Sequence, residues 1–228
     1  MPPGSPGAAE ALFGTPEALD RHRDLVARAV EHGVAVSAVT DAGMAGLSET
    51  VTPQGVVAVC TYLDRPLDAV VAAPPRLAVV LAEIRDPGNA GTVLRTADAA
   101  GAGAVVFTDA SVDPYNGKCV RASAGSLFHP AVVRGGAAAD VVTALRAAGL
   151  RVFAADSAGE RDLDDLADSG ALAAPTAWLF GNEARGLPDD LAALADARVA
   201  IPIHGRAESL NLAAAAAVCL YASARAQR

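Results

Sequence analysis

The sequence predicts an α/β fold, a mostly parallel sheet flanked by helices and preceded by a smaller α/β unit. Three observations carry this. Between Leu77 and Ile201, short continuously apolar runs alternate with helical stretches, as strands do when helices bury both faces of a parallel sheet. These runs end in polar, glycine-containing loops, and open α/β sheets bind ligands at the carboxyl ends of their strands. The 228 residues are 52% hydrophobic and 19% charged, enough for a sizeable core and too apolar for disorder.

Taken in order, residues 1–9 are rich in Pro, Gly, Ser and Ala and read as a frayed end. Thr15 is placed to cap a helix, with Pro16 in its first position, Leu19, Leu25, Val26 and Val30 on one face, and Gly33 at its end. Val34–Val39 reads as a strand, Asp41–Leu47 as a short helix, Thr52-Pro53-Gln54-Gly55 as a turn and Val56–Tyr62 as a strand. That is a small αβαβ unit over residues 1–73. Pro74-Pro75 is the expected boundary to a second domain over 76–228. There, strands are expected at Leu77–Ala82, Ala104–Phe107, Arg151–Ala155, Thr176–Phe180 and Arg198–Ile201. Helices are expected at Asn89–Gly101, Asp140–Ala148 and from Ser209, read as an N-cap, to about Ala226.

The net charge of -8 argues against a general nucleic-acid coat but leaves room for a local basic cleft. Aromatics at 4% offer few platforms for stacking bases. The acidic stretches Asp162–Asp168 and Asp189-Asp190 read as solvated faces. Cys60, Cys119 and Cys219 are dispersed, so neither a disulfide framework nor a metal site is expected, and the compartment is expected to be reducing. The start of the chain lacks a signal-peptide pattern, and the longest apolar run, Leu212 to Ala222, is too short for a membrane span. A cytoplasmic protein with no membrane partner is the expectation.

Three strand-end loops stand out. The first is Arg85-Asp86-Pro87-Gly88-Asn89-Ala90-Gly91, leading to Arg95 in an otherwise small and apolar helix. Asn89 would suit as that helix's cap, and a lone Arg in such a helix calls for a partner. The second is Gly181-Asn182-Glu183-Ala184-Arg185-Gly186-Leu187, where Glu183 could orient a cationic group. The third runs from Ile201-Pro202-Ile203 to Ser209-Leu210-Asn211-Leu212, at a helix start whose free N–H groups can hold a polar ligand. Between them Lys118 and Arg121 share a helix face. With Arg85, Arg95, Arg185 and Arg206 they could form a basic cleft that grips phosphates. A nicotinamide-dependent dehydrogenase would also fit an α/β sheet, but the G-x-G-x-x-G fingerprint is absent.

These loops together resemble the SpoU (TrmH) family of RNA ribose 2′-O-methyltransferases, within the SPOUT superfamily. Asp86 to Arg95 is similar to its first motif, Gly181-Asn182-Glu183 with Gly186-Leu187 to its second, and Ile201-Pro202-Ile203 with Ser209-Leu210-Asn211-Leu212 to its third. Arg121-Ala122-Ser123-Ala124-Gly125 is similar to the family's middle segment. The resemblance covers residues 76–228. Residues 10–72 resemble the last part of the small RNA-binding domain that often precedes it, with the front strand and helices missing or shortened. It implies a C-terminal trefoil knot, a homodimer, and S-adenosyl-L-methionine held near Gly181, Asn182, Glu183, Ile201, Ile203, Ser209 and Leu210. It implies that Asn89, Arg95, Glu183, Ser209 and Asn211 line the catalytic site. Arg95 would act either as a base with a depressed pKa or as a charged group that steadies phosphate and alkoxide. Ribosomal RNA is the favoured substrate, with transfer RNA and a catalytically silent RNA-binding role as alternatives. Ala184 stands where the family often carries glycine.

Overall fold

A computed structural model describes residues 7–48, 50 and 52–228. The chain divides into two compact units, Met1–Leu63 and Asp64–Arg228.

The first unit comprises β1 (Ala9–Gly14), α1 (Pro16–Arg21), α2 (Arg23–Glu31), β2 (Ala35–Ala38), α3 (Asp41–Leu47) and β3 (Val56–Cys60). Its sheet has the order β2-β1-β3, with β1 parallel to β2 and antiparallel to β3. Thr15 caps α1 as its sequence predicts, accepting from the Ala18 N–H at 3.3 Å. The single helix expected over Thr15–Gly33 is broken at His22, whose φ of -109° and ψ of 41° leave the helical region. The apolar face expected on it does not become a core face in this unit: α2 buries no residue, and Leu25 and Val30 are exposed. Part of the stretch expected to fray, residues 1–6, lies outside the described residues. The rest corrects the reading in one respect, because Ala9–Gly14, where no strand was expected, forms β1, the central strand of this unit's sheet. Its flank is tied by Ala8 N–H to Thr61 Oγ1 at 3.1 Å and by Thr61 N–H to the Ala8 carbonyl at 2.9 Å.

The second unit comprises α4 (Leu67–Ala72), β4 (Leu77–Leu81), α5 (Pro87–Ala99), β5 (Ala104–Phe107), α6 (Gly117–Ser123), β6 (Ala131–Arg134), α7 (Ala138–Ala147), β7 (Arg151–Ala155), β8 (Arg161–Asp162), α8 (Leu163–Asp168), β9 (Thr176–Phe180), α9 (Asp189–Ala192), β10 (Ala197–Ala200) and α10 (Leu212–Ala226). The seven strands pair in the order β6-β5-β4-β9-β7-β10-β8, every pairing parallel. All residues of β4, β5 and β9 are buried, which is why these strands read as unbroken apolar runs. On one face, Val70 of α4, Val141 and Leu145 of α7 and Leu191 of α9 pack into a common core with Val80, Val106 and Leu179. That burial draws α4 into this unit, so the division falls upstream of Pro74-Pro75.

On the other face, α5 packs against α6 and α10. A Cβ on Gly91 would lie 2.3 Å from the Cys119 carbonyl oxygen, so glycine permits the close approach of α5 to α6. Trp178 at the sheet centre is fully buried, and its Nε1–H donates to Ser223 Oγ of α10 at 2.9 Å.

Two helix starts differ from expectation. α5 begins at Pro87, capped by Asp86, which accepts from Asn89 N–H at 2.7 Å; Asn89 is therefore inside the first turn and its side chain is free for other work. α10 begins at Leu212 with Asn211 as cap, accepting from Ala213 N–H at 2.9 Å and Ala214 N–H at 3.4 Å, so Ser209 precedes the helix. The acidic stretch at 162–168 contains α8, which buries Leu163 and Leu166 and turns Asp164, Asp165 and Asp168 to solvent. Among the described residues no helix is long and apolar enough to cross a membrane.

Candidate active site

The loops at the carboxyl ends of β7, β9 and β10 surround a cleft of about 550 Å³. Its volume falls in the range of roughly 300–1,000 Å³ usual for small-molecule sites. Gly181, Asn182, Glu183, Ile201, Ile203, Ser209 and Leu210, the set expected to hold the cofactor, all line it. So do Leu187, Leu212, Asp156, Arg185, Arg198 and Glu208.

The second loop is folded on itself. Asn182 and Gly186 exchange backbone hydrogen bonds of 3.1 and 2.8 Å, and Gly186 takes a φ of +68° that favours glycine. A Cβ on Gly181 would lie 2.5 Å from the Gly186 carbonyl carbon, so the return of the chain requires a bare backbone there. Asn182 Oδ1 accepts from the N–H groups of Ala184 and Arg185 at 3.0 and 3.2 Å, closing the turn.

Side chains then join the three loops in one line. Glu183 Oε2 accepts from Arg85 N–H at 3.2 Å; Oε1 accepts from Asp86 N–H at 3.2 Å and from Asn89 Nδ2 at 3.3 Å. Asn89 Oδ1 in turn accepts from Asn211 Nδ2 at 3.1 Å. Partial burial pushes the Glu183 carboxyl up. Its backbone hydrogen bonds, with those from Arg85 and Asp86 among them, and the Asn89 amide outweigh that and hold it below the usual carboxylate range. Asp86 is also lowered, first by the Asn89 N–H and then by Lys118, whose Nζ lies 3.0 Å away.

Of the expected catalytic set, Asn89, Glu183 and Asn211 are thus in direct contact, and Ser209 lines the cleft beside them. Arg95 is exposed on α5, and its side chain makes no hydrogen bond or ion pair among the described residues. The lone arginine expected to need a protein partner therefore has none there. The cations expected to form one RNA cleft are differently placed. Lys118 is paired with Asp86 and Arg185 with Glu83 at 2.9 Å, while Arg85, Arg121 and Arg206 are exposed. Arg185 alone of these six lines the cleft.

The sequence reading missed Asp156, Arg198 and Glu208. Arg198 Nη2 and Nε donate to Asp156 Oδ2 at 2.7 and 3.1 Å, bracing β10 against the end of β7. Asp156 follows immediately after a strand whose limits were legible, so the strand-end rule applied to every strand would have found it.

Fold and cleft define an α/β protein with an open cleft at the carboxyl edge of a parallel sheet, where such sheets bind ligands. A model of the SpoU rRNA Methylase family matches residues 76–221, and one for RNA 2'-O ribose methyltransferase substrate binding matches residues 4–66. The chain is 35% identical over 192 residues to the 23S rRNA (guanosine(2553)-2'-O)-methyltransferase of Bacillus subtilis, covering 84% of this chain and 73% of that protein. It is 38% identical over 178 residues to the 23S rRNA (uridine(2479)-2'-O)-methyltransferase of Streptomyces viridochromogenes, covering 76% of this chain and 61% of that protein. Among solved structures, the AdoMet-bound rRNA methyltransferase of Sinorhizobium meliloti superimposes with a TM-score of 0.83 at 33% identity, over 95% of this chain and 80% of that one. This chain belongs to the SpoU rRNA methylase family.

Proposed function

We propose that this protein transfers the methyl group of S-adenosylmethionine to a ribose 2′-hydroxyl of RNA, and that the RNA is ribosomal. The observation that carries the reading is the Glu183–Asn89–Asn211 line, which ties the cleft to the helix bearing Arg95. The relatives named as 23S rRNA 2'-O-methyltransferases support the substrate class.

The cleft suits this cofactor by its own chemistry. Leu187, Ile201, Ile203, Leu210 and Leu212 give apolar walls for an adenine ring. Asp156, Glu183 and Glu208 outnumber Arg185 and Arg198, a balance that favours a ligand with net positive charge. When bound, S-adenosylmethionine supplies a methyl already activated by its sulfonium.

The protein's task is then alignment, and positioning of this kind supplies roughly 7–11 kcal/mol of a barrier. Asn89, held from both sides, is a fixed polar group that links Glu183 of the cleft to the cap of α10. Arg95 acts as a cation: a guanidinium is a fixed fork of donors and a poor base, and its exposed place on α5 leaves it free to grip the phosphate beside the target ribose. It also steadies the oxygen as its proton passes to solvent water, to which this exposed position is open.

We further propose a trefoil knot formed where the 201–211 loop and α10 close on the sheet, a homodimer, and RNA selection by the Met1–Leu63 unit. Family membership supports all three. Ribosomal RNA as substrate and dispersed, unpaired cysteines support action in the cytoplasm.

The test is a map of 2′-O-methylated positions in ribosomal RNA from strains with and without the gene. Loss of one mark, restored by the parent gene and not by an Arg95→Ala copy, is expected. An unchanged map in ribosomal RNA would overturn the substrate assignment.

A further inference from the structure

We infer that Glu83 is a positioning residue for the cofactor cleft, acting through the 182–186 loop. This rests on the cofactor reading above. The loop is a thin partition. The cleft of about 550 Å³ lies on one side and a second cavity of about 410 Å³ on the other, and Asn182, Arg185 and Gly186 line both. A segment with open space on two sides has little packing to fix it, so its tethers decide where it stands.

Glu83 supplies two of those tethers from the end of β4. Its backbone carbonyl accepts from Asn182 Nδ2 at 2.9 Å, and its carboxylate Oε2 accepts from Arg185 Nη2 at 2.9 Å. The first holds the base of the turn and the second holds its tip. Glu83 adopts φ +56°, a conformation that side-chain-bearing residues rarely take and glycine takes freely. Glycine would be the unstrained choice at this position. The presence of glutamate there is accounted for by the use of its carboxylate.

The backbone conformation gives the test an unusual sign. Glu83→Gly relieves the φ strain and keeps the carbonyl tether, while it removes the link to Arg185. The pair is solvent-exposed, with side-chain exposures of 41% for Glu83 and 69% for Arg185, so its effect is modest. An exposed pair of this kind corresponds to about a two- to fivefold change in an equilibrium constant.

Parent protein, Glu83→Gly and Glu83→Gln are titrated with S-adenosylmethionine in a calorimeter, and each ligand-free protein is digested with trypsin. Glu83→Gly is expected to melt at or above the parent temperature, to bind the cofactor two- to fivefold more weakly, and to be cut faster after Arg185. Glu83→Gln, which keeps an acceptor for Arg185 but also the φ strain, is expected to melt at or slightly below the parent and to fall between the two in affinity and cleavage. Unchanged affinity and cleavage in Glu83→Gly would overturn the role of Glu83. So would a lowered melting temperature that accounts for both changes. Failure of the parent itself to bind S-adenosylmethionine would instead overturn the cofactor reading on which this role depends.

Discussion

Asn211 does two jobs that one substitution can separate. Its Oδ1 caps α10 through Ala213 and Ala214, and its Nδ2 donates to Asn89 Oδ1 at 3.1 Å. Asn211→Asp keeps the capping oxygen and adds a negative charge at a helix N-terminus, where it is favourable by about 0.3–1 kcal/mol. The same change deletes the donor to Asn89 and sets one carboxylate oxygen against another acceptor. The lost hydrogen bond is worth about 0.5–1.5 kcal/mol net, a factor of about 2–13 in rate if the bond aligns the site. Repulsion from the ionised Glu183, one residue further along the line, pushes the loss toward the upper end. Asn211→Ala loses the cap as well, and so is less stable by about 0.5–2 kcal/mol. Urea unfolding followed by circular dichroism and initial rates of methyl transfer make the comparison. Aspartate should stay within about 1 kcal/mol of parent stability, because the favourable charge at the helix start offsets most of the lost bond, while kcat/KM falls about tenfold, and alanine should lose both. Equal destabilisation by the two changes, or full turnover in Asn211→Asp, would refute the two-job account.

Three further outcomes follow from the same structure. Ser223→Ala leaves the buried Trp178 Nε1–H without an acceptor, which costs about 1–3 kcal/mol; fluorescence of this sole tryptophan during urea unfolding reads it directly. The carboxyls of Asp86 and Glu183 are held below their ordinary values, so each contributes stability above the unfolded carboxylate range, near about pH 4, that is lost as pH falls through the folded value. Acid unfolding of Glu183→Gln should accordingly show a shallower pH slope than the parent. Burial pushes the Cys119 and Cys219 thiols up to about 12, whereas Cys60 is exposed. A disulfide reagent near neutral pH should modify Cys60 in the folded protein, and Cys119 and Cys219 only after denaturation.

The core of the second unit was legible because its strands are buried on both faces. Ala104–Phe107, Arg151–Ala155 and Thr176–Phe180 coincide with the apolar runs that announced them. Strand β8 was not legible, since two residues, Arg161 and Asp162, carry no periodicity. β1 was missed because Ala9–Gly14 follows directly on a run of Pro, Gly and Ser that reads as a loose end. Both helix starts were displaced for one reason: several good capping residues lay close together, and the choice between Asp86 and Asn89, or Ser209 and Asn211, depends on which oxygen reaches the free N–H groups. At the site, the resemblance of the three loops to the family's motifs pointed to residues that line the cleft. The hydrogen-bonded line through Asn89 needed coordinates, because Glu183, Asn89 and Asn211 lie far apart in sequence. The ion pairs that occupy Lys118 and Arg185 were equally invisible in a count of basic residues.

The most direct test of a methyl-donor cleft serving a ribose hydroxyl is chemical. Purified protein is given S-adenosylmethionine tritiated on the methyl and unmodified ribosomal RNA, and the product is hydrolysed with alkali. A 2′-O-methyl group blocks cleavage at its own nucleotide, so the tritium should appear in an alkali-resistant dinucleotide, and Arg95→Lys should greatly reduce it. Tritium recovered on single nucleotides would place the methyl on a base and contradict the account, as would no transfer at all.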